Sequence, residues 1–296
     1  MKTAPFDYRR PLDLAEASRL LLEHDDACVI AGGQTLIPMM AMRLARPPVL
    51  VDIGRIEEIK RIEREGDRLA IGAAVRQALA ERSAHVASDA PLLACALPHV
   101  GHAPTRNRGT LGGSVANADP AAEIPLVLTT LAGAVRVQRG EVQREIPADD
   151  FFQGPMMTAL EPGDCVAALL FPVWPEARIG VGFVEISARQ SDYAYVSAAA
   201  QVALDADGAC LRCALGIGGA TPVPTRLDAV AQALCGQRLT RARIEAALQG
   251  VIEDLEIMTD SHASPAYRQR VAREFAIRAL LAAQDDAQAR SKRGRP

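Results

Sequence analysis

The chain has 296 residues, enough for two or three small domains with real cores. Half of them are apolar, about a quarter are charged and the formal net charge is −3, so no basic face for nucleic acid is expected. No run of about eighteen apolar residues exists to span a membrane, and the opening MKTAPFDYRRPLD lacks the apolar core of a signal peptide, so the expected location is cytoplasmic.

Residues 6–8 read as a short strand. A helix follows, with Asp13 as N-cap and Leu14, Ala17, Leu20 and Leu21 as its apolar stripe. Residues 27–30 read as a buried strand leading into Ala31-Gly32-Gly33-Gln34-Thr35-Leu36, then a helix over 38–44 and a strand over 49–53. Strand, glycine turn and helix start in that order aim successive N–H groups at an anion.

Residues 55–100 read as a hairpin and helices, with a strand over 68–73 and short helices over 77–83 and 91–97. Residues 101–125, GHAPTRNRGTLGGSVANADPAAEIP, show no clean periodicity until about Ile124 and read as a second glycine loop. Its successive N–H groups form a candidate nest for phosphate oxygens, and Thr110, Ser114 and Asn117 add short polar side chains. Two such loops about 75 residues apart suggest a diphosphate clamped from two sides. Neither is GxGxxG and no GxxxxGK[ST] occurs; taken alone, glycine pairs are more often plain turns.

A helix over 124–132 comes next, then a hairpin of 134–138 and 142–146, and a strand over 165–171. Later strands are expected over 180–186, 201–205 and 209–217, the last two joined at Asp207-Gly208. Helices follow over 226–234, 241–251 and 264–282. Residues 284–296 are polar and read as a mobile tail. The six cysteines, Cys28, Cys95, Cys165, Cys210, Cys213 and Cys235, are scattered and expected to be free thiols. Cys210 and Cys213 form a CxxC without further ligands nearby, which reads as two strand positions rather than a metal site.

AGGQTLIPMM at 31–40, together with RNRGTLGGSVANADPAAEIP at 106–125, closely resembles the FAD-binding medium subunit of molybdenum-containing hydroxylases, the carbon-monoxide-dehydrogenase-like or xanthine-dehydrogenase-like family. FDYRRPLDLAEASRLL, PPVLVDIGRIEEI, Phe151-Phe152-Gln153-Gly154, ISARQSDYAYVSAA and SHASPAYRQRVAREFAIRAL extend the likeness over nearly the whole chain. The resemblance implies an α+β protein: a two-domain FAD-binding fold of the vanillyl-alcohol-oxidase/PCMH type, plus a C-terminal α+β domain with an antiparallel sheet and helices. The expected divisions are 1–53, 54–175 and 176–283, with 284–296 as the tail.

The resemblance also implies a cofactor set. FAD phosphates lie against the backbone of Ala31, Gly32, Gly33, Gln34, Thr35 and Leu36, and of Thr110, Gly112, Gly113 and Ser114. Thr105 and Gly109 join this set, and Asn117 and Glu123 match further contact positions. Asp119 is a contact or a helix N-cap for 120–131. Val100 and Gly101 pass near the isoalloxazine ring and Val166 supplies an apolar contact. Tyr193 either lies over the ring or is packed in a strand with Tyr195. Glu185 departs from the pattern, since many relatives carry Lys there, and a Lys would help neutralise a reduced flavin. Arg106 and Arg108 are read first as solvated, with phosphate attraction or docking as the alternatives. His99 and His102 flank the loop without making a metal site. No residue is assigned as catalytic: Ser114 is not in GxSxG, and neither a His-Asp pair nor paired carboxylates are evident.

The implied function is electron transfer. A large partner subunit holds a molybdenum–molybdopterin cofactor and hydroxylates substrate, a small one holds two [2Fe–2S] clusters, and FAD on this chain passes the electrons to an external acceptor. A dimer of heterotrimers is expected. The rival readings are a free-standing FAD-dependent oxidoreductase and a non-catalytic scaffold subunit. Carbon monoxide, an N-heteroaromatic, a purine or an aldehyde remain open as substrates, and the acceptor is open too.

Overall fold

The computed structural model describes residues 2–293. The chain opens with β1 (Asp7–Arg9), α1 (Leu14–Glu23), β2 (Cys28–Ile30), α2 (Leu36–Ala41) and β3 (Val49–Asp52). Both outer strands pair with β3 in parallel, giving the order β1-β3-β2. The central place of β3 buries Val49, Leu50 and Val51. Asp13 caps α1 as expected, its Oδ1 accepting the Glu16 N–H at 2.8 Å. Ser18 on the buried face of α1 donates to Gly163 O at 2.7 Å and accepts from Gly140 N at 2.8 Å. Its hydroxyl thereby ties the parallel sheet to the loops of the next one.

The middle of the chain forms β4 (Ile62–Glu65), β5 (Arg68–Gly72), α3 (Gln77–Glu81), α4 (Ala84–Asp89), α5 (Pro91–Ala96), α6 (Ala103–Arg108), α7 (Leu111–Asn117) and α8 (Glu123–Thr130). It continues through β6 (Ala134–Arg139), β7 (Val142–Pro147), α9 (Ala148–Phe151), β8 (Phe152–Gly154), β9 (Met157–Thr158) and β10 (Cys165–Pro172). Five of these strands make an antiparallel sheet, β4-β5-β10-β6-β7, with β10 at its centre and Leu169, Leu170 and Phe171 fully buried.

The expected loop over 101–123 is instead largely helical, as α6 and α7. Thr110 starts α7 by accepting the Gly113 N–H at 3.0 Å. Leu111 and Gly112 donate to Val75 O and Ala73 O, each at 3.0 Å. A Cβ on Gly112 would stand 2.4 Å from that of Ala73, so this glycine serves close packing.

The last third holds β11 (Ile179–Ile186), β12 (Val196–Leu204), β13 (Cys210–Gly218), β14 (Thr225–Arg226), α10 (Asp228–Leu234), α11 (Arg241–Leu248) and α12 (Pro265–Arg293). The strands are antiparallel in chain order. All nine residues of β12 are buried, because α12 packs on the sheet from one side and α5 and α8 from the other. The helix lies directly on strand backbone: a Cβ at Gly180 or Gly182 would come within 2.1 Å of Ala283 O or Ala279 O. The reading of 284–296 as a tail is corrected for its first ten residues. They continue α12, Ala287 is fully buried, and Asp286 accepts the Val181 N–H at 3.0 Å. Residues 294–296 lie outside the described residues. The strand reading of Tyr193 is corrected too, since β12 begins only at Val196.

Candidate functional site

A cleft of about 580 Å³ is lined by β2, by β10 and by the segment that precedes β12, and every residue of the expected cofactor set lines it. One wall is 31–36, between β2 and α2. The opposite wall is Thr105, Gly109 and α7 with its cap, presenting Thr110, Gly112, Gly113, Ser114 and Asn117. Asp119 and Glu123 close one end, Val100 and Gly101 pass beside them, Val166 comes from β10, and Tyr193 from the segment before β12. The two glycine segments touch. A Cβ on Gly32 would fall 2.6 Å from Arg108 O and 2.8 Å from Gly109 Cα, so only glycine permits this approach.

The two walls differ in what they offer. Among the described residues, the N–H groups of Gly32, Gly33, Gln34, Thr35 and Leu36 meet no acceptor, while those of Ile37 and Met39 close onto Gly33 O and Thr35 O. Gly33 takes φ +69°, which turns the chain so that these donors follow one another around a concave bend. The second wall does not form the expected nest. Leu111 and Gly112 donate to strand carbonyls, Gly113 to Thr110 Oγ1, and Ser114 to Thr110 O at 3.2 Å. What this wall presents is the hydroxyls of Thr110 and Ser114, the Asn117 amide and the bare Cα of Gly113.

Arg106 is not a solvated residue. It pairs with Glu81 at 2.9 Å and donates to Val100 O at 3.2 Å and Gly101 O at 2.8 Å, which braces the turn leading into the cleft. Arg76, which sequence reasoning passed over, donates to Arg108 O and so pins the contact between the glycine segments. Asp164 was also missed. It lines the cleft beside Cys165, and the Arg144 and Arg139 guanidiniums reach it at 2.6 and 3.0 Å. Burial pushes its carboxyl up, but these partners and the Glu161 N–H outweigh burial and hold it at about 2. No local motif announces either residue, because their partners lie 20–32 positions away.

The end closed by Asp119 and Glu123 is acidic and poorly solvated. Burial pushes Glu123 up to about 7; Glu185 and Asp119 add to this, while its own N–H and His99 oppose it. Burial also raises Asp119, although its Oδ1 accepts the Ala121 N–H at 2.9 Å. Asp119 thus caps a turn while lining the cleft, and α8 itself starts after Ala122. His99 stands with Nδ1 3.2 Å from Glu185 Oε1, its ring tilted on Phe183 at 4.9 Å between centroids. The Glu185 hydrogen bond raises His99 against the opposing effect of burial. Burial, Asp119 and Glu123 raise the phenol of Tyr193, a residue 69 % exposed at the cleft mouth. All six cysteines are free thiols, and among the described residues no group of three or more His, Cys, Asp or Glu is placed to hold a metal ion.

Most of the chain has matches. Residues 4–174 match the family model described as FAD binding domain in molybdopterin dehydrogenase, and 182–283 match the CO dehydrogenase flavoprotein C-terminal domain. The nicotine 6-hydroxylase medium subunit of Paenarthrobacter nicotinovorans is 37 % identical over 96 % of this chain and 99 % of its own. A chain of quinoline 2-oxidoreductase from Pseudomonas putida 86 superposes with a TM-score of 0.91 at 33 % identity, over 97 % of this chain and 99 % of that one. A chain of carbon monoxide dehydrogenase from Hydrogenophaga pseudoflava gives the same TM-score at 30 % identity, with the same coverage.

Proposed function

Because the chain belongs to the FAD-binding medium subunits of the molybdenum hydroxylases, we propose that it holds FAD in this cleft and relays electrons within a larger complex. The electrons come from [2Fe–2S] clusters on a small partner subunit and leave to an external acceptor. A large partner subunit with a molybdenum–molybdopterin cofactor hydroxylates the substrate. The assembly is a dimer of such heterotrimers. Among the described residues no helix is long and apolar enough to cross a membrane.

The observation that carries the reading is the run of five unpaired N–H groups at 32–36, set in a cleft whose other wall bears short hydroxyl and amide side chains. A diphosphate needs that donor set and little positive charge besides. The cofactor supplies the redox chemistry, accepting electrons and releasing them to the acceptor; the protein supplies position and electrostatics. The amides of 32–36 bind the diphosphate, and Thr110, Ser114 and Asn117 orient it from the facing wall. Val100, Gly101 and Val166, which line the cleft, would give the ring an apolar edge. Tyr193, in the lining of the cleft, would cover the bound ring and exclude water from it.

Purification of the chain together with the subunits that accompany it, followed by flavin and metal analysis of each separated subunit, tests this. The expected result is about one FAD on this chain, with iron and molybdenum on its partners. A complex without flavin, or with flavin only on another subunit, overturns the reading. Substrate turnover by this chain alone overturns its role as one subunit among three.

A further inference from the structure

Arg268 is the bulkiest side chain fully buried among the described residues, and the electron relay leaves it unused. It stands in the opening turn of α12, where the helix dipole disfavours a cation. A buried guanidinium costs free energy unless it is paired, and packing alone would be served as well by an apolar residue of similar volume. Its charge at this place therefore calls for a reason other than filling space.

The partners of the guanidinium supply one. Nη1 donates to Tyr195 O and to Gly219 O, each at 2.5 Å, and Nη2 pairs with Asp260. Both carbonyls belong to segments that run to the cleft. Tyr195 ends the β11–β12 loop, whose root is closed by the Tyr195 N–H on Ile186 O at 2.7 Å. That loop brings Ser191, Asp192 and Tyr193 into the lining. Gly219 follows β13 and donates to Pro120 O at 2.8 Å, between the lining residues Asp119 and Ala121. The two segments meet behind the lining: Gly219 takes φ +70°, and a Cβ there would fall 2.8 Å from Ala194 O. Arg268 thus ties both walls of this end together without lining the cleft itself. Only a planar fork reaches two carbonyls and a carboxylate at once; a lysine ammonium is a single point on a flexible stem. Tyr193 is largely exposed, so its place depends on the root of its loop rather than on packing of its own ring.

We propose that Arg268 is a positioning residue for the cofactor: by locking the root of the β11–β12 loop to the 119–121 turn, it sets Tyr193 across the bound ring. This rests on the reading of the cleft as a flavin site with Tyr193 over the ring.

The fluorescence lifetime of the flavin in the FAD-loaded complex tests this, because a phenol in contact with an isoalloxazine quenches its emission. The unmodified complex should emit briefly, and Y193L should lengthen the lifetime several-fold. R268K should lengthen it to a similar degree, and R268K/Y193L no further than Y193L alone, since the same contact is lost in each. An R268K flavin as strongly quenched as the unmodified one, whatever the change in melting temperature, makes the guanidinium a fold-stabilising group only and overturns the proposal. Effects of R268K and Y193L that add in the double variant overturn it too. G219A covers the case in which R268K folds poorly. It keeps the guanidinium and its pairing with Asp260, while the new Cβ displaces Ala194 and should lengthen the lifetime; an unchanged lifetime overturns the proposal. An unmodified complex without flavin overturns the reading of the cleft as well.

Discussion

Glu123 shows how one side chain couples the cleft to the stability of the fold. Its carboxyl sits at about 7 in the folded chain against an ordinary value of 4.5. The folded state therefore keeps a proton that the unfolded state has lost between those values. Its contribution is fully present below about 4.5, declines as pH rises, and becomes a constant penalty above about 7. The flavin-free chain should thus gain from E123Q at alkaline pH and not at acid pH. We expect urea unfolding to give equal stabilities near pH 4.5 and an advantage of about 1–3 kcal/mol for the variant at pH 8, after discounting for partial exposure. A variant advantage independent of pH would show that burial of a charge is not the cause. Thr110 illustrates a different limit of the single residue. Its place in a polar glycine stretch marks it as a phosphate ligand. In the fold it first serves as a helix cap, and that cap consumes the Gly113 N–H that the nest reading needs.

At the scale of elements, what was legible depended on whether periodicity survived. Helix α1 announced itself through Asp13 and an apolar stripe, and the β12–β13 turn through Asp207-Gly208, where Gly208 takes φ +83°. Helix α7 did not, since in seven residues it buries only Leu111, Gly112 and Val115, and its register is set by hydrogen bonds to Ala73 and Val75 across the chain. The end of α12 was invisible for a related reason. The residues facing the sheet there are small alanines that meet glycines and the polar Asp286, so the composition looks like that of a solvated tail. Ala279, Ala283 and Ala287 are buried along one line, and Gly180 and Gly182 let that line rest on β11. Ending the chain after residue 283 should remove the Ala287 packing and the Asp286 bond to Val181, costing about 1–3 kcal/mol, whereas ending it after 290 should cost under about 0.5 kcal/mol. Denaturant midpoints of the two truncations decide this; equal midpoints would mean that 284–290 contribute nothing.

At the scale of the whole molecule, the cleft joins parts of the chain that local signals could not relate. The glycine motifs located two walls and suggested their pairing across a diphosphate, and the family resemblance then supplied the cofactor. The acidic end, by contrast, needs α8, β11 and the turn after α5 to meet, which no short window of sequence encodes. The lining comes chiefly from 28–36, from the region 100–123, from 164–166 and from 191–193, so a cofactor seated in the cleft touches strands of the first two sheets and the segment that leads into β12. A ligand that binds only the folded state stabilises it by RT ln(1 + [L]/Kd), about 2.7 kcal/mol at a hundredfold excess over Kd. Its protection should be greatest where the ligand itself supplies the missing partners. The N–H groups of 32–36 have no acceptor among the described residues, so they should exchange fast without FAD and slow strongly with it. The amides of 111–114 already have acceptors and should slow far less. Hydrogen exchange read by mass spectrometry, with and without added FAD, measures this contrast. Equal protection of both walls would mean that the second wall rearranges to donate its amides. Stronger protection of 111–114 would make that wall, and not 32–36, the main donor to the diphosphate.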